Sequence, residues 1–150
     1  MSSSVYILIL VALIAGAMMP TQAGVNHRLA LALGNPILSA FVSFIVGSIA
    51  LLLYIVLTGI PLSALGSIRN APPISWFGGL LGAFFVASTI ILLPRLGVAM
   101  TFTLVIAGQM VVTLIIDNYG LFGLPVKEIN LPRVAGILLV VVGVVLIRRF

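Results

Sequence analysis

Cysteine is absent from the 150-residue sequence, which holds only two acidic residues and one histidine. The missing thiols exclude disulfides, thiolate nucleophiles and cysteine metal sites. Asp117, Glu128 and His27 are too few for a metal-ligand cluster. They also fall short of a Ser-His-Asp arrangement or a catalytic carboxylate pair, so no enzyme is expected and no catalytic residue is assigned. A glycine-rich phosphate loop is missing too, which argues against nucleotide-driven pumping by this chain and leaves no cofactor to expect. Charged residues make up 6% of the chain, against about 25% in soluble domains. So few cannot clothe a water-facing globule. The net charge is +5, but the seven Lys and Arg residues are scattered. They form no basic patch, so nucleic acid is not an expected partner.

What is present is apolar. Hydrophobic residues make up 63% of the chain and mean hydropathy is +1.42, which makes the lipid bilayer the solvent. Crossing a bilayer takes about 20 predominantly apolar residues. Five runs qualify: residues 5–33, 36–57, 75–93, 98–116 and 132–147. The first could pass for a secretory signal, because it is apolar to Ala23 and passes through small residues. It lacks a cationic n-region and is too long for an h-region, so it reads as the first membrane helix. Gly34-Asn35-Pro36 supplies a helix stop, an N-cap and a first-turn proline for helix two. Pro61 and Ala71-Pro72-Pro73 bracket an interfacial loop. Pro94-Arg95-Leu96-Gly97 is so short a connection that helices three and four are expected to be antiparallel neighbours. Asn130 is placed to cap helix five. No linker or internal repeat divides the chain, so a single five-helix transmembrane domain over residues 1–150 is expected.

Five spans would put the termini on opposite sides. Arg69, Lys127 and Arg133 then share the N-terminal side, and Arg28, Arg95, Arg148 and Arg149 the other. Lys/Arg asymmetry normally fixes orientation, and three against four is almost none. The pattern suits dual insertion, with copies pairing as an inverted homodimer. One fixed orientation set by a few dominant loop charges is the alternative. Tyr6, Tyr54, Trp76 and Tyr119 fall near the N-terminal-side interface, where aromatic residues are ordinary anchors.

Small residues recur at helix-packing spacing. They are Ala12, Gly16, Pro20 and Gly24 in helix one, and Ser39, Ser43 and Gly47 in helix two. Helix three offers Gly78 with Gly82, or Gly79 with Ala83 and Ala87, and helix five offers Gly136 and Gly143. Such faces let backbones approach closely where lipid gives no hydrophobic drive for association. They are read as packing positions, within the bundle or against a protein partner.

Polar groups inside a bilayer are expensive and stand out as functional candidates. Met18, Gln22 and Asn26 repeat every fourth residue and share a face of helix one. Pro20, lacking an N–H, frees the Gly16 carbonyl beside them. This face reads as the wall of a substrate pathway, or as hydrogen-bonding glue worth about 0.6 kcal/mol. Gln109, Thr113 and Asp117 share a face of helix four at the same spacing, and Gln109 and Thr113 are assigned to the pathway. Asp117, with His27 and Arg28, is the candidate proton or charge site. The plainer reading puts Asp117 in a solvated loop, paired with Lys127 or Arg133. Helix one holds no mid-helix acid, which removes a carboxylate site for exchanging protons and cations there. Ser39, Ser43, Ser88, Thr89 and Thr101 are expected to satisfy their hydroxyls against helix carbonyls.

Several of these residues recur as an ordered set: Gly34-Asn35-Pro36, Ser43-Phe44 with Gly47, and Trp76 through Gly78-Gly79 to Gly82-Ala83. Pro94-Arg95-Leu96-Gly97, Gly108-Gln109, Asp117-x-x-Gly120-x-x-Gly123 and Arg133-x-x-Gly136 follow. In this order and spacing, over nearly the whole chain, they resemble the YdcZ-like family of small five-helix bacterial inner-membrane proteins in the drug/metabolite transporter superfamily. The resemblance implies an all-helical half of an inverted-repeat transporter, completed by a second copy, with the substrate site near the midplane. It names no ligand.

The sequence thus suggests a secondary transporter or exporter of a small molecule in the inner membrane, working as a dimer by alternating access. Neutral carboxamides and hydroxyls suggest a neutral, amphipathic or weakly anionic substrate. A non-transporting membrane subunit or regulator, or one half of an obligate heterodimer, is the rival reading.

Overall fold

The computed structural model describes residues 3–149, apart from the side chains of Ser3 and Arg148. The Arg148 part of the charge count lies outside the described residues. Every regular element among them is helical: α1 (Ser3–Leu33), α2 (Pro36–Thr58), α3 (Phe77–Leu96), α4 (Val98–Tyr119) and α5 (Leu131–Arg149). Short 3-10 stretches at Leu62–Asn70, Pro73–Trp76 and Leu121–Gly123 occupy the connections. The chain gathers into two compact units, Met1–Leu93 and Pro94–Phe150.

Four stretches, Ser4–Leu33, Pro36–Thr58, Pro73–Leu96 and Val98–Tyr119, are long and apolar enough to cross a membrane, and Leu131–Ile147 is a shorter apolar helix. At 1.5 Å per residue α1 is about 45 Å long, well beyond a hydrocarbon core of about 30 Å. It runs unbroken through Pro20. Most large apolar side chains are exposed, an inversion that suits a chain whose solvent is lipid.

The first unit is built on the α1–α2 hairpin. Gly34 ends α1 at φ 68, in the left-handed region that only glycine enters freely. Asn35 then caps α2, its side-chain oxygen accepting from the N–H groups of Ile37 at 2.8 Å and Leu38 at 3.2 Å. Pro36 fills the first turn, where its missing N–H costs no helical bond. Ala30, Ala40 and Ile90 form the buried cluster where α1, α2 and α3 meet, with Val86 and Ala87 against it. The alanines permit close approach of the backbones.

Two helices run three residues past their expected ends. The connection expected at 94–97 shrinks to Gly97, because α3 continues through Pro94 to Leu96. A proline is compatible with helical φ, at the cost of its own donor and of crowding the carbonyl four residues back, whereas Gly97 at φ 77 and ψ 164 adopts a conformation closed to other residues. Similarly, α4 was expected to stop at Ile116 and reaches Tyr119. Nothing in Asp117-Asn118-Tyr119 breaks a helix; the stop is Gly120.

In the second unit α4 and α5 pack antiparallel, as shown by the groove that Met110, Thr113, Asp117, Arg133, Gly136 and Ile137 line together. The connection folds back on the end of α4. The Lys127 N–H donates to the Asp117 carbonyl at 2.8 Å, and the Ile129 N–H donates to the Asn118 side-chain oxygen at 3.1 Å. Gly120 makes this return possible twice over. Its φ is 57, and a Cβ there would lie 2.8 Å from Val126 Cγ2 and 2.9 Å from the Leu124 carbonyl. At the start of α5 the Asn130 side-chain oxygen accepts from the Arg133 N–H at 3.0 Å, the cap foreseen for it.

Candidate functional site

The hairpin turn decides which residues of α1 and α2 face each other. Asn26 lies as many residues before Gly34 as Ser43 lies after Asn35, and the two meet: Asn26 Nδ2 donates to Ser43 Oγ at 3.2 Å. One turn closer to the hairpin, Ser39 Oγ donates to the Asn26 backbone carbonyl at 2.7 Å. Asn26 and Ser39 are buried. Ser39 thus bonds to a helix carbonyl as expected, though one on the facing helix, while Ser43 departs from the expectation by accepting from the Asn26 side chain. The threonines do follow the local pattern: Thr89 donates to the Val86 carbonyl, Thr101 to Gly97 and Thr113 to Gln109, at 2.7–2.9 Å.

By the same counting, the residue facing Gln22 on α2 is Gly47, which has no side chain to offer. Gln22 accordingly stands exposed, without a hydrogen-bond partner among the described residues. A groove of about 460 Å³ opens beside it, lined by Met18, Thr21, Gln22, Val25, Asn26, Leu29, Val42, Ser43 and Val46. A second hollow of about 220 Å³ shares Gln22 and Ser43 and adds Phe44, Gly47, Ser48 and Leu51. Thr21 lines the groove with its hydroxyl turned back to the Ala17 carbonyl, at 3.0 Å. Pro20, half-buried, is not part of the lining. His27 and Arg28 follow Asn26 on α1 but line neither hollow, and neither has a partner among the described residues.

The second unit holds a charged cluster. Arg133 Nη2 meets Asp117 Oδ2 at 2.6 Å, with both side chains less than a third exposed. Its Nη1 donates to the Lys127 carbonyl at 3.0 Å. One guanidinium thus ties the last turn of α4, the connection and the first turn of α5 together. Asp117 belongs to the helix and not to a loop, and its pairing partner is Arg133; Lys127 contributes its backbone alone to the knot. A carboxylate at the negative end of a helix is unfavourable, and the cation of Arg133 offsets that. Beside the pair lies a groove of about 320 Å³ that includes Thr113 and Gly136. Gln109 is exposed on α4, outside that groove's lining, and its side chain has no partner among the described residues.

The small-residue faces are mostly open within the chain. A Cβ at Gly82 would touch the Phe44 ring at 3.5 Å, whereas at Gly16, Gly24, Gly47, Gly78, Gly136 or Gly143 it would meet nothing within 4 Å. What the sequence reading missed is the partnership of Asn26 with the two serines. Part of the signal lay in the turn, because equal counts from a two-residue hairpin bring residues of the two helices to the same height. The packing of the helices then decides which of them bond.

Compared with known proteins, the chain matches the model of the family described as "Putative inner membrane exporter, YdcZ" over residues 7–146. No curated protein and no solved structure matches it.

Proposed function

The chain belongs to this YdcZ family of inner membrane exporters, and from that premise we propose that it is a secondary transporter moving a small molecule outward by alternating access. It is a multi-pass inner-membrane protein in contact with lipid, and a transporter family is not an enzyme family. In the reading proposed here all five helices span, α5 with the shorter apolar run, and two copies complete one pathway as an inverted pair. Each copy then supplies one half of an inverted-repeat transporter.

The observation that carries this reading is Gln22. An unengaged carboxamide in the apolar stretch of α1, above a groove with Asn26 and Ser43 on its wall, is expensive to leave facing hydrocarbon. A pathway that admits a polar solute accounts for it. Met18 and Asn26 share the wall, and Gln109 with Thr113 is a second polar station on α4. Asp117, already held by Arg133, acts as a structural charge before it acts as a proton carrier, and His27 and Arg28 are left as the unpaired charge candidates. The rival reading, a non-transporting subunit, draws on Asn26, whose bonds to both serines would serve as helix glue alone.

The test is flux through the purified protein in liposomes, with and without Gln22→Ala and Gln109→Ala. Loss of flux with the dimer intact is expected, and undiminished flux in both variants removes them from the mechanism. Orientation is read separately from Ser67→Cys, in the loop between α2 and α3 of a chain with no other cysteine. Partial labelling by an impermeant maleimide in intact cells supports dual insertion, and all-or-none labelling overturns it.

A further inference from the structure

The groove between α1 and α2 carries a statement about substrate chemistry that deepens the transport reading and rests on it. None of the side chains lining it is titratable: its polar members are Thr21, Gln22, Asn26 and Ser43, and the rest are apolar. A charged solute would leave water for a wall with no counter-charge, and such burial is strongly unfavourable. His27 and Arg28, the nearest charges in sequence, lie outside the lining.

The polar members are not equally available. Thr21 is committed to the Ala17 carbonyl and Asn26 Nδ2 to Ser43. What stays open is the whole carboxamide of Gln22, the Asn26 side-chain oxygen and the hydroxyl hydrogen of Ser43, none of which has a partner among the described residues. Gln22 presents a donor and an acceptor side by side, and a second amide is their complement. On its other side Gln22 borders the second hollow, which Gly47 leaves open, since a Cβ there would meet nothing within 4 Å.

We propose that this groove binds an uncharged solute bearing a paired hydrogen-bond donor and acceptor of the carboxamide type, and that Gln22 is the residue that reads it. A weakly anionic substrate is thereby excluded from this site, and movement of the solute carries no charge across the membrane.

Three probes of one skeleton test it: N-acetylleucinamide, which is neutral, N-acetylleucine, an anion, and leucinamide, a cation. The reporter is Val25→Cys on the groove wall, the sole thiol in the full-length protein, labelled with N-ethylmaleimide in lipid nanodiscs. N-acetylleucinamide should slow labelling and the two ions should not. Gln22→Leu should weaken that protection about tenfold, the loss of roughly one good hydrogen bond. Protection by either ion as strong as by the neutral amide, or by none of the three, overturns the proposal. So does undiminished protection in Gln22→Leu. Flux without protection would sink this assignment and leave the exporter reading standing; protection without flux would do the reverse.

Discussion

In the α1–α2 hairpin the polar groups that meet are neutral, a carboxamide and two hydroxyls, whereas between α4 and α5 they are a carboxylate and a guanidinium. Their positions differ as well. Asn26 lies two turns inside the end of α1, while Asp117 sits in the last turn of α4 and Arg133 in the first of α5. A charge is costly at the middle of a membrane helix and far less so toward its ends. Deep positions therefore favour groups that can be satisfied without a counter-ion, and terminal positions tolerate ions that reinforce a turn. The neutral knot leaves its neighbour Gln22, one turn away on α1, unengaged beside a groove; the charged knot engages both its partners.

The largest effect expected on this contrast comes from Arg133→Met. It strands the Asp117 carboxylate and removes the donor to the Lys127 carbonyl, which should lower stability by about 2 kcal/mol, less than for a fully buried pair. Unfolding in detergent would measure it, and adding Asp117→Asn should recover part of the loss. An unchanged transition would show the ion pair to be idle.

Gly120→Ala comes next, because a left-handed alanine costs about 1–2 kcal/mol and its Cβ would also press on the Leu124 carbonyl. The same unfolding measurement applies, with Gly143→Ala, where a Cβ meets nothing within 4 Å, as the control that should not destabilise.

Breaking the neutral knot should cost less. Ser39→Ala or Asn26→Leu removes one interhelical hydrogen bond, worth about 0.6 kcal/mol in membrane bundles. If either variant proved as damaging as Arg133→Met, depth and neutrality would not be what separates the two knots.

Gln22→Ala is at the bottom of the stability order, within about 0.5 kcal/mol of the parent, since its side chain bonds nothing among the described residues. Its effect belongs to transport, and a large loss of stability would identify it as structural.

Much of this was legible from the chain. The helical class follows from apolar runs too long for strands, and the α1–α2 turn from Gly34-Asn35-Pro36, whose three residue types each have one physical use there. The shared face of Met18, Gln22 and Asn26 follows from four-residue periodicity. The end of α4 was read too early, because the polar residues Asp117 and Asn118 look like loop when the return of the connection is unknown. Which helix Ser39 and Ser43 would engage was not legible for a similar reason: a serine in a membrane helix can reach its own backbone, and periodicity on one helix is silent about the other.

The sequence by itself determined the solvent, the class and the helix stop at Gly34, since these depend on composition and on backbone sterics local to a few residues. Only the tertiary structure decided that Asp117 chooses Arg133, that Asn26 is held by α2 while Gln22 is left open, and that Gly47 empties the space opposite. Those outcomes depend on which side chain stands across from which. That is a property of pairs of helices, settled by the geometry of a turn and the packing that follows it.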